Sequence, residues 1–181
     1  MAAYAEMNTH GLRFTMADLA RSLYISKSTI YQHFDSKDDL VDEIIEALFE
    51  DIREQEEEIA ADPNRSFLQK IEALLAVFPR KFGPISERLI DEAERFLPLA
   101  KAKAEPFRKE KWLRLENLIR REIVEGRLRP INLVVLERVY MLVSNGLVDY
   151  KFLTENKLSA REAIASFADI LTFGLVKNTS D

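Results

Sequence analysis

Apolar residues recur every three or four positions along most of this chain, the spacing of helices with one buried side. Ala2, Ala3 and Met7 fit a short helix over residues 2–9 that stops near Gly11. Leu19, Ala20 and Leu23 form one face of a second helix beginning at about Met16, and Ile30 and Phe34 one side of a third. Leu40, Val41, Ile44, Ile45, Leu48, Phe49 and Ile52 then hold the pattern in a helix running to about Ala61, where Asp62-Pro63-Asn64 breaks it. Phe67, Ile71, Leu74, Leu75, Phe78 and Phe82 predict a helix closed by Gly83-Pro84, and Ile85, Leu89, Ile90, Ala93 and Phe96 the inner side of another. Pro98 and Pro106 bracket a short Lys- and Ala-rich piece. Pro106 opens a long helix carrying Trp112, Leu115, Leu118, Ile119 and Ile123, which stops at Gly126. Two further helices are predicted, from Asn132 to about Leu153 and from Ser159 onward.

Polar punctuation supports these starts. Thr15 and Asp18, Ser36 and Asp39, and Ser159 and Glu162 each have capping-box spacing, in which the first side chain and the carboxylate three residues on satisfy each other's free backbone N–H groups. Only 5 Gly and 6 Pro interrupt 181 residues, and 47% are apolar, enough for a packed core. The expected fold is all-α, with about nine helices: a three-helix head over residues 1–45 and a helical body over 46–181.

Several kinds of chemistry are unsupported. There is no Cys, so disulfides and thiol catalysis are excluded, which suits a reducing cytoplasm. His10 and His33 lie on different elements without an i, i+4 partner, so no metal site is expected. No Gly-rich phosphate loop or Ser-His pair with nucleophile spacing occurs, and acidic pairs such as Asp91-Glu92 are expected by chance among 31 acids. No catalytic residue and no cofactor are assigned. No run of about 18 apolar residues marks a membrane span.

Residues 27 to 33 carry the distinctive chemistry. Opposite Ile30 and Phe34 stand Lys27, Ser28, Thr29, Tyr31, Gln32 and His33, every one able to donate a hydrogen bond to a phosphate or a base edge. A short donor-rich helix held by a preceding helix is the helix-turn-helix layout, whose second helix enters a major groove. Net charge is -5 overall, yet residues 1–37 carry Arg13, Arg21, Lys27 and Lys37 against Glu6, Asp18 and Asp35, a balance of +1. Binding is therefore expected to rest on a few placed cations and neutral donors rather than a broad basic field.

A-D-L-A, then I-S-K-S-T-I-Y-Q-H-F, then S-K-D-D-L over roughly residues 2–49 resembles the DNA-binding signature of TetR/AcrR-type transcriptional regulators. The family pattern places Gly in the turn where this chain has Tyr24, so a left-handed backbone there bears a cost that Gly avoids. Family members also carry another turn or more before the first helix, so an N-terminal arm on phosphate is not assigned. The resemblance implies DNA contacts from Thr15, Lys27, Ser28, Thr29, Tyr31, Gln32, His33 and Lys37.

The last two predicted helices are apolar over more than one stripe and are expected to bury more than one face. The resemblance implies that they form a four-helix bundle with a second copy, through Val143, Leu147, Phe167, Leu171 and Gly174. It also implies a pocket for a small apolar effector in the body, to which Phe78, Phe82, Phe96, Trp112, Asn117 and Tyr140 are assigned, with Arg120 and Asn145 as further polar candidates. The implied function is a ligand-responsive repressor binding a palindromic operator duplex as a homodimer. A small helical enzyme or ligand carrier, and a regulator without an inducer, are the alternatives.

Overall fold

The computed structural model describes residues 2–82, 86, 89, 92 and 98–175. Among them every regular element is helical: α1 (Ala2–His10), α2 (Met16–Ser22), α3 (Lys27–Tyr31), α4 (Lys37–Ala61), α5 (Phe67–Leu75), α6 (Pro98–Val124), α7 (Leu133–Gly146), α8 (Tyr150–Asn156) and α9 (Ala160–Leu175), with a 3-10 turn at Gly11–Arg13. The fold is all-α. Its caps follow local chemistry. Thr15 and Asp18 close a reciprocal capping box on α2, Ser66 and Gln69 one on α5, and Asn132 accepts from the Val135 N–H to start α7. Ser159 and Glu162 exchange the same pair of bonds ahead of α9.

Three elements of the body differ from the expectation. Helix α5 ends at Leu75 rather than running on through Phe78 and Phe82. Pro79 disfavours helical backbone at the residue before it, so the helix stops short. Helix α6 begins at Pro98 and contains Pro106 as an interior residue. Pro98 suits the first helical position, and the intervening Ala- and Lys-rich residues have high helix propensity, so the chain stays helical although Pro106 lacks the N–H that would bond the turn before it. The predicted helix from Asn132 to Leu153 is two helices. Asp149 accepts the Phe152 N–H at 2.8 Å and opens α8. The stretch assigned to Gly83-Pro84, Ile85, Ile90, Ala93 and Phe96 lies outside the described residues.

The helices form two compact units, residues 1–53 with 79–103 and residues 54–78 with 104–181. The first is centred on Tyr4, Met7, Phe14, Met16, Leu19, Ile30, Leu40, Val41 and Ile44, all buried. Fully burying each such side chain contributes roughly 1.5–3 kcal/mol, which holds α2 and α3 at a fixed angle to the start of α4. The Asp51 carboxylate, itself buried, accepts the backbone N–H groups of Arg80 and Lys81 at 2.5 and 2.8 Å.

The second unit is centred on Ile71, Leu74, Leu75, Trp112, Leu115, Ile119, Leu136, Tyr140 and Phe167, with α5 packed on α9. Within it Glu56 is fully buried between the Arg114 guanidinium at 2.5 Å and the Lys111 ammonium at 3.2 Å. Burial pushes the Lys111 ammonium pKa down against the opposing pull of Glu56. The Trp112 and Tyr140 rings lie 5.5 Å apart, and burial holds the Tyr140 hydroxyl well above its ordinary pKa.

Candidate nucleic-acid interface

Helix α2 ends with two backbone bonds, from the Tyr24 N–H to the Arg21 carbonyl and from the Ile25 N–H to the Ala20 carbonyl. This helix-ending motif needs a left-handed residue at its centre, and Tyr24 supplies it at φ 55°. The chain then reverses into Ser26, whose Oγ accepts the Thr29 N–H at 3.1 Å and caps α3. Ser26 Oγ also shares hydrogen bonds with Ser28 Oγ at 2.7 Å and Thr29 Oγ1 at 2.8 Å, so three hydroxyls are linked around the start of the helix.

Regular helix covers Lys27–Tyr31, shorter than the predicted stretch through His33. The chain stays in hydrogen-bonded turns, with Gln32 N–H to Ser28 O at 3.1 Å and His33 N–H to Ile30 O at 3.0 Å. Ile30 is buried and anchors the element, while Lys27, Ser28, Tyr31, Gln32 and His33 are exposed and Thr29 is half-buried. The Lys27 ammonium lies 5.5 Å from the Tyr31 ring centre, near enough for a cation–π attraction that orders both side chains. Tyr31, Gln32 and His33 make no side-chain hydrogen bond among the described residues, so their donors face solvent.

Two assigned residues have internal duties. The Thr15 hydroxyl donates to Asp18 Oδ2 at 2.7 Å while receiving the Asp18 N–H. The hydrogen bonds from the Thr15 hydroxyl and N–H, joined by the Arg21 guanidinium, pull the Asp18 carboxyl below its usual range. The Lys37 ammonium donates to the Leu12 carbonyl at 2.5 Å and lies 4.7 Å from the Phe14 ring centre. The opposite side of the same turn is held by Glu92, which accepts the Leu12 N–H at 2.6 Å. Gly11 sits there at φ 65°, and a Cβ on it would run into the Glu92 carboxylate. Sequence reasoning missed this clamp, because nothing local links Glu92 to Leu12 across 80 positions.

The arrangement is a solvent-facing set of neutral and cationic donors on a short capped helix, held by an apolar core. Residues 1–44 match the family described as bacterial regulatory proteins, tetR family. The head of this chain is thus similar to the DNA-binding region of tetR-family regulators. It is 27% identical over 165 residues, 91% of this chain and 87% of the relative, to a Bacillus subtilis (strain 168) protein described as an uncharacterized HTH-type transcriptional regulator, YvaF. Its fold is shared with a TetR transcription regulator from Haloarcula marismortui ATCC 43049, at TM-score 0.76 and 15% identity over 97% of this chain and 95% of that one. It is shared too with the TetR family regulator PfmR from Thermus thermophilus, at TM-score 0.69 and 19% identity over 97% of both chains. FadR from Bacillus subtilis, solved in complex with stearoyl-CoA, matches at TM-score 0.67 and 16% identity over 96% of each chain.

The residues assigned to the body are dispersed. Trp112 and Tyr140 meet in the core of the second unit. Phe78 is partly buried, its ring 4.9 Å from the Arg161 guanidinium. Phe82 packs edge-on against Tyr4 in the first unit, at 5.4 Å between centres. Asn117 and Arg120 are exposed on α6, the latter paired with Glu116; Phe96 lies outside the described residues. Trp112 Nε1 and Thr172 Oγ1 are buried without a hydrogen-bond partner.

The residues assigned to self-association show a division. On α7, Leu136, Tyr140 and Val143, with Leu147 just past its end, form one stripe against the core, and Phe167 and Leu171 join it from α9. Gly174 lies in α9. The opposite side of α7 presents Val134, Val135, Val139 and Leu142 to solvent, Val134 at 77% exposure, and α9 presents Ile170 at 69%. Among the described residues no helix is long and apolar enough to cross a membrane, and no group of three or more His, Asp or Glu side chains converges on a metal-sized site.

Proposed function

We propose that this chain is a TetR-family repressor that binds a near-palindromic operator in the cytoplasm as a homodimer and releases it when a small, largely apolar effector enters the body. Residues 1–45 read DNA, and residues 46–181 dimerise and sense the effector. The observation that carries the reading is α3: an anchored Ile30 behind an exposed row of Lys27, Ser28, Tyr31, Gln32 and His33. Tyr31, Gln32 and His33 supply groove contacts, Lys27 a phosphate contact, and Thr29 a base-edge contact from the first turn. Thr15 and Lys37 hold the reading element in place and reach phosphate only by sharing the donors they now use internally.

The homodimer is supported by the outward stripe of Val134, Val135, Val139 and Leu142 with Ile170, apolar surface that a second copy would cover. Val143, Leu147, Phe167 and Leu171 back that surface from within, and Gly174 extends the same helix as Phe167 and Leu171. Two copies of α3 then address major grooves about 34–36 Å apart. The effector reading is supported by the partnerless Trp112 Nε1 and Thr172 Oγ1, polar atoms that a bound molecule would satisfy. The stearoyl-CoA held by the FadR relative favours a long apolar chain with a polar head as the effector class. Such a ligand acts through its difference in affinity for two states, typically about 1–3 kcal/mol. Helix α4 runs unbroken from Lys37 to Ala61 and carries both the Leu12 clamp and Glu56, so a shift at Glu56 would be felt at Lys37.

Thr29→Ala and Tyr31→Phe test the reading. Each lost base contact lowers specific duplex affinity by about 1–3 kcal/mol and leaves the binding of unrelated duplex nearly unchanged. Unaltered specific affinity in both variants removes α3 from the interface.

A further inference from the structure

Tyr24 is the outlier of the head. It is 96% exposed, holds φ at 55°, and stands where the family pattern has Gly. The same pair of closing backbone bonds ends α6 at Gly126, with φ 73°, and α8 at Lys157, with φ 55°. At this position the motif turns the Cα–Cβ bond outward, which explains the exposure. It does not explain the residue. An aromatic ring in left-handed backbone bears a steric cost that Gly avoids, and here the ring recovers nothing by burial.

Its surroundings supply a reason. Tyr24 lies two positions before the Ser26 cap, at most about 7 Å of extended chain away. Tyr24 therefore sits at the same end of α3 as the linked hydroxyls of Ser26, Ser28 and Thr29, the end that enters a groove first. Leu23 and Ile25, each about two-fifths exposed, flank it with apolar surface. The head carries few cations, so neutral donors at the rim of the reading helix have more to contribute.

We infer that Tyr24 is an additional duplex contact, its hydroxyl donating to a backbone phosphate and its ring lying on the adjoining sugar. The inference rests on the duplex-reading role of α3. A tyrosine–phosphate bond positions the protein without reading sequence, and because the phenol is uncharged it releases no counterion. The contact has a signature distinct from that of Thr29 or Tyr31: affinity falls equally for all sequences, and the salt dependence does not move.

The test uses the full chain and two probes, a duplex recovered by the wild-type protein from a random pool and an unrelated duplex of equal length. Tyr24→Gly and Tyr24→Asn both suit left-handed backbone, so their heads fold, and the melting temperature of Tyr24→Gly is unchanged or raised. Both variants are expected to bind each duplex about three- to tenfold more weakly, the loss of one hydrogen bond, with the ratio between duplexes and the salt slope preserved. Tyr24→Phe shows a smaller loss. Wild-type affinity in Tyr24→Gly and Tyr24→Asn overturns the contact, as does a loss confined to the selected duplex, which would mean base reading. A loss in Tyr24→Gly with a lowered melting temperature, while Tyr24→Asn binds normally, also overturns it. If the wild-type chain recovers no duplex at all, the reading of α3 falls and this contact falls with it.

Discussion

The Lys37 ammonium donates to the Leu12 carbonyl at 2.5 Å, tying the first residue of α4 to the turn between α1 and α2. A charge-assisted bond of this kind, partly shielded from water by the Phe14 ring, contributes about 1–2 kcal/mol. Lys37→Met keeps the apolar stem over Phe14 and removes the donor. It is expected to lower head stability by that amount in urea denaturation. Full stability in Lys37→Met would show that the bond is not formed in solution.

Acid should loosen the start of α2 before it unfolds the core. The Asp18 carboxyl is held below its ordinary value of 3.8, chiefly by the Thr15 hydroxyl and N–H and less by Arg21. Its folded pKa lies below the unfolded one, so the stabilisation is complete above the unfolded value and lost as pH falls through the folded value. Glu162, held below its ordinary 4.5 by the Ser159 N–H and hydroxyl, behaves in the same way at α9. Melting temperature is expected to drop below about pH 4, and in Asp18→Asn with Glu162→Gln the drop should be smaller.

Glu56 is a costly side chain to remove. It is fully buried between Lys111 and Arg114, and Glu56→Leu would leave the nearly buried Lys111 ammonium without a counter-charge. A loss of about 3–5 kcal/mol is expected in urea titration. Adding Lys111→Met should recover most of it, since Arg114 keeps Glu110 at 2.7 Å. If the double variant is no more stable than the single one, the ion pair is not what Glu56 is for.

Val139 and Leu142 face solvent one helical turn apart on α7, so charges placed there leave the protomer fold intact. Val139→Glu and Leu142→Glu are each expected to raise the dimer dissociation constant at least about tenfold in sedimentation equilibrium, each losing about 1.4 kcal/mol or more. An unchanged constant would move the interface elsewhere.

What the sequence disclosed, and what it withheld, follows the range of the forces involved. The caps at Thr15, Ser36, Asn132 and Ser159 are legible because the donor and acceptor are three residues apart. The start of α8 was not read, although Asp149 and Phe152 have the same spacing, because the greasy run from Val134 to Leu153 masked a helix end. The side of α7 that meets the core could not be chosen from periodicity: the stripes through Val139 and Val143 are equally apolar, and only packing separates them. The role of Lys37 was hidden for a similar reason, since its partner is a backbone carbonyl 25 residues away.

The central claim, that α3 reads a duplex as one of a symmetric pair, is tested most directly by selecting bound sequences from a random duplex pool with the full chain. The account predicts recovery of an inverted repeat whose half-site centres lie about 10–10.5 base pairs, or a small multiple of that, apart. Recovery of a single unrepeated site, or of no enriched sequence, would contradict it.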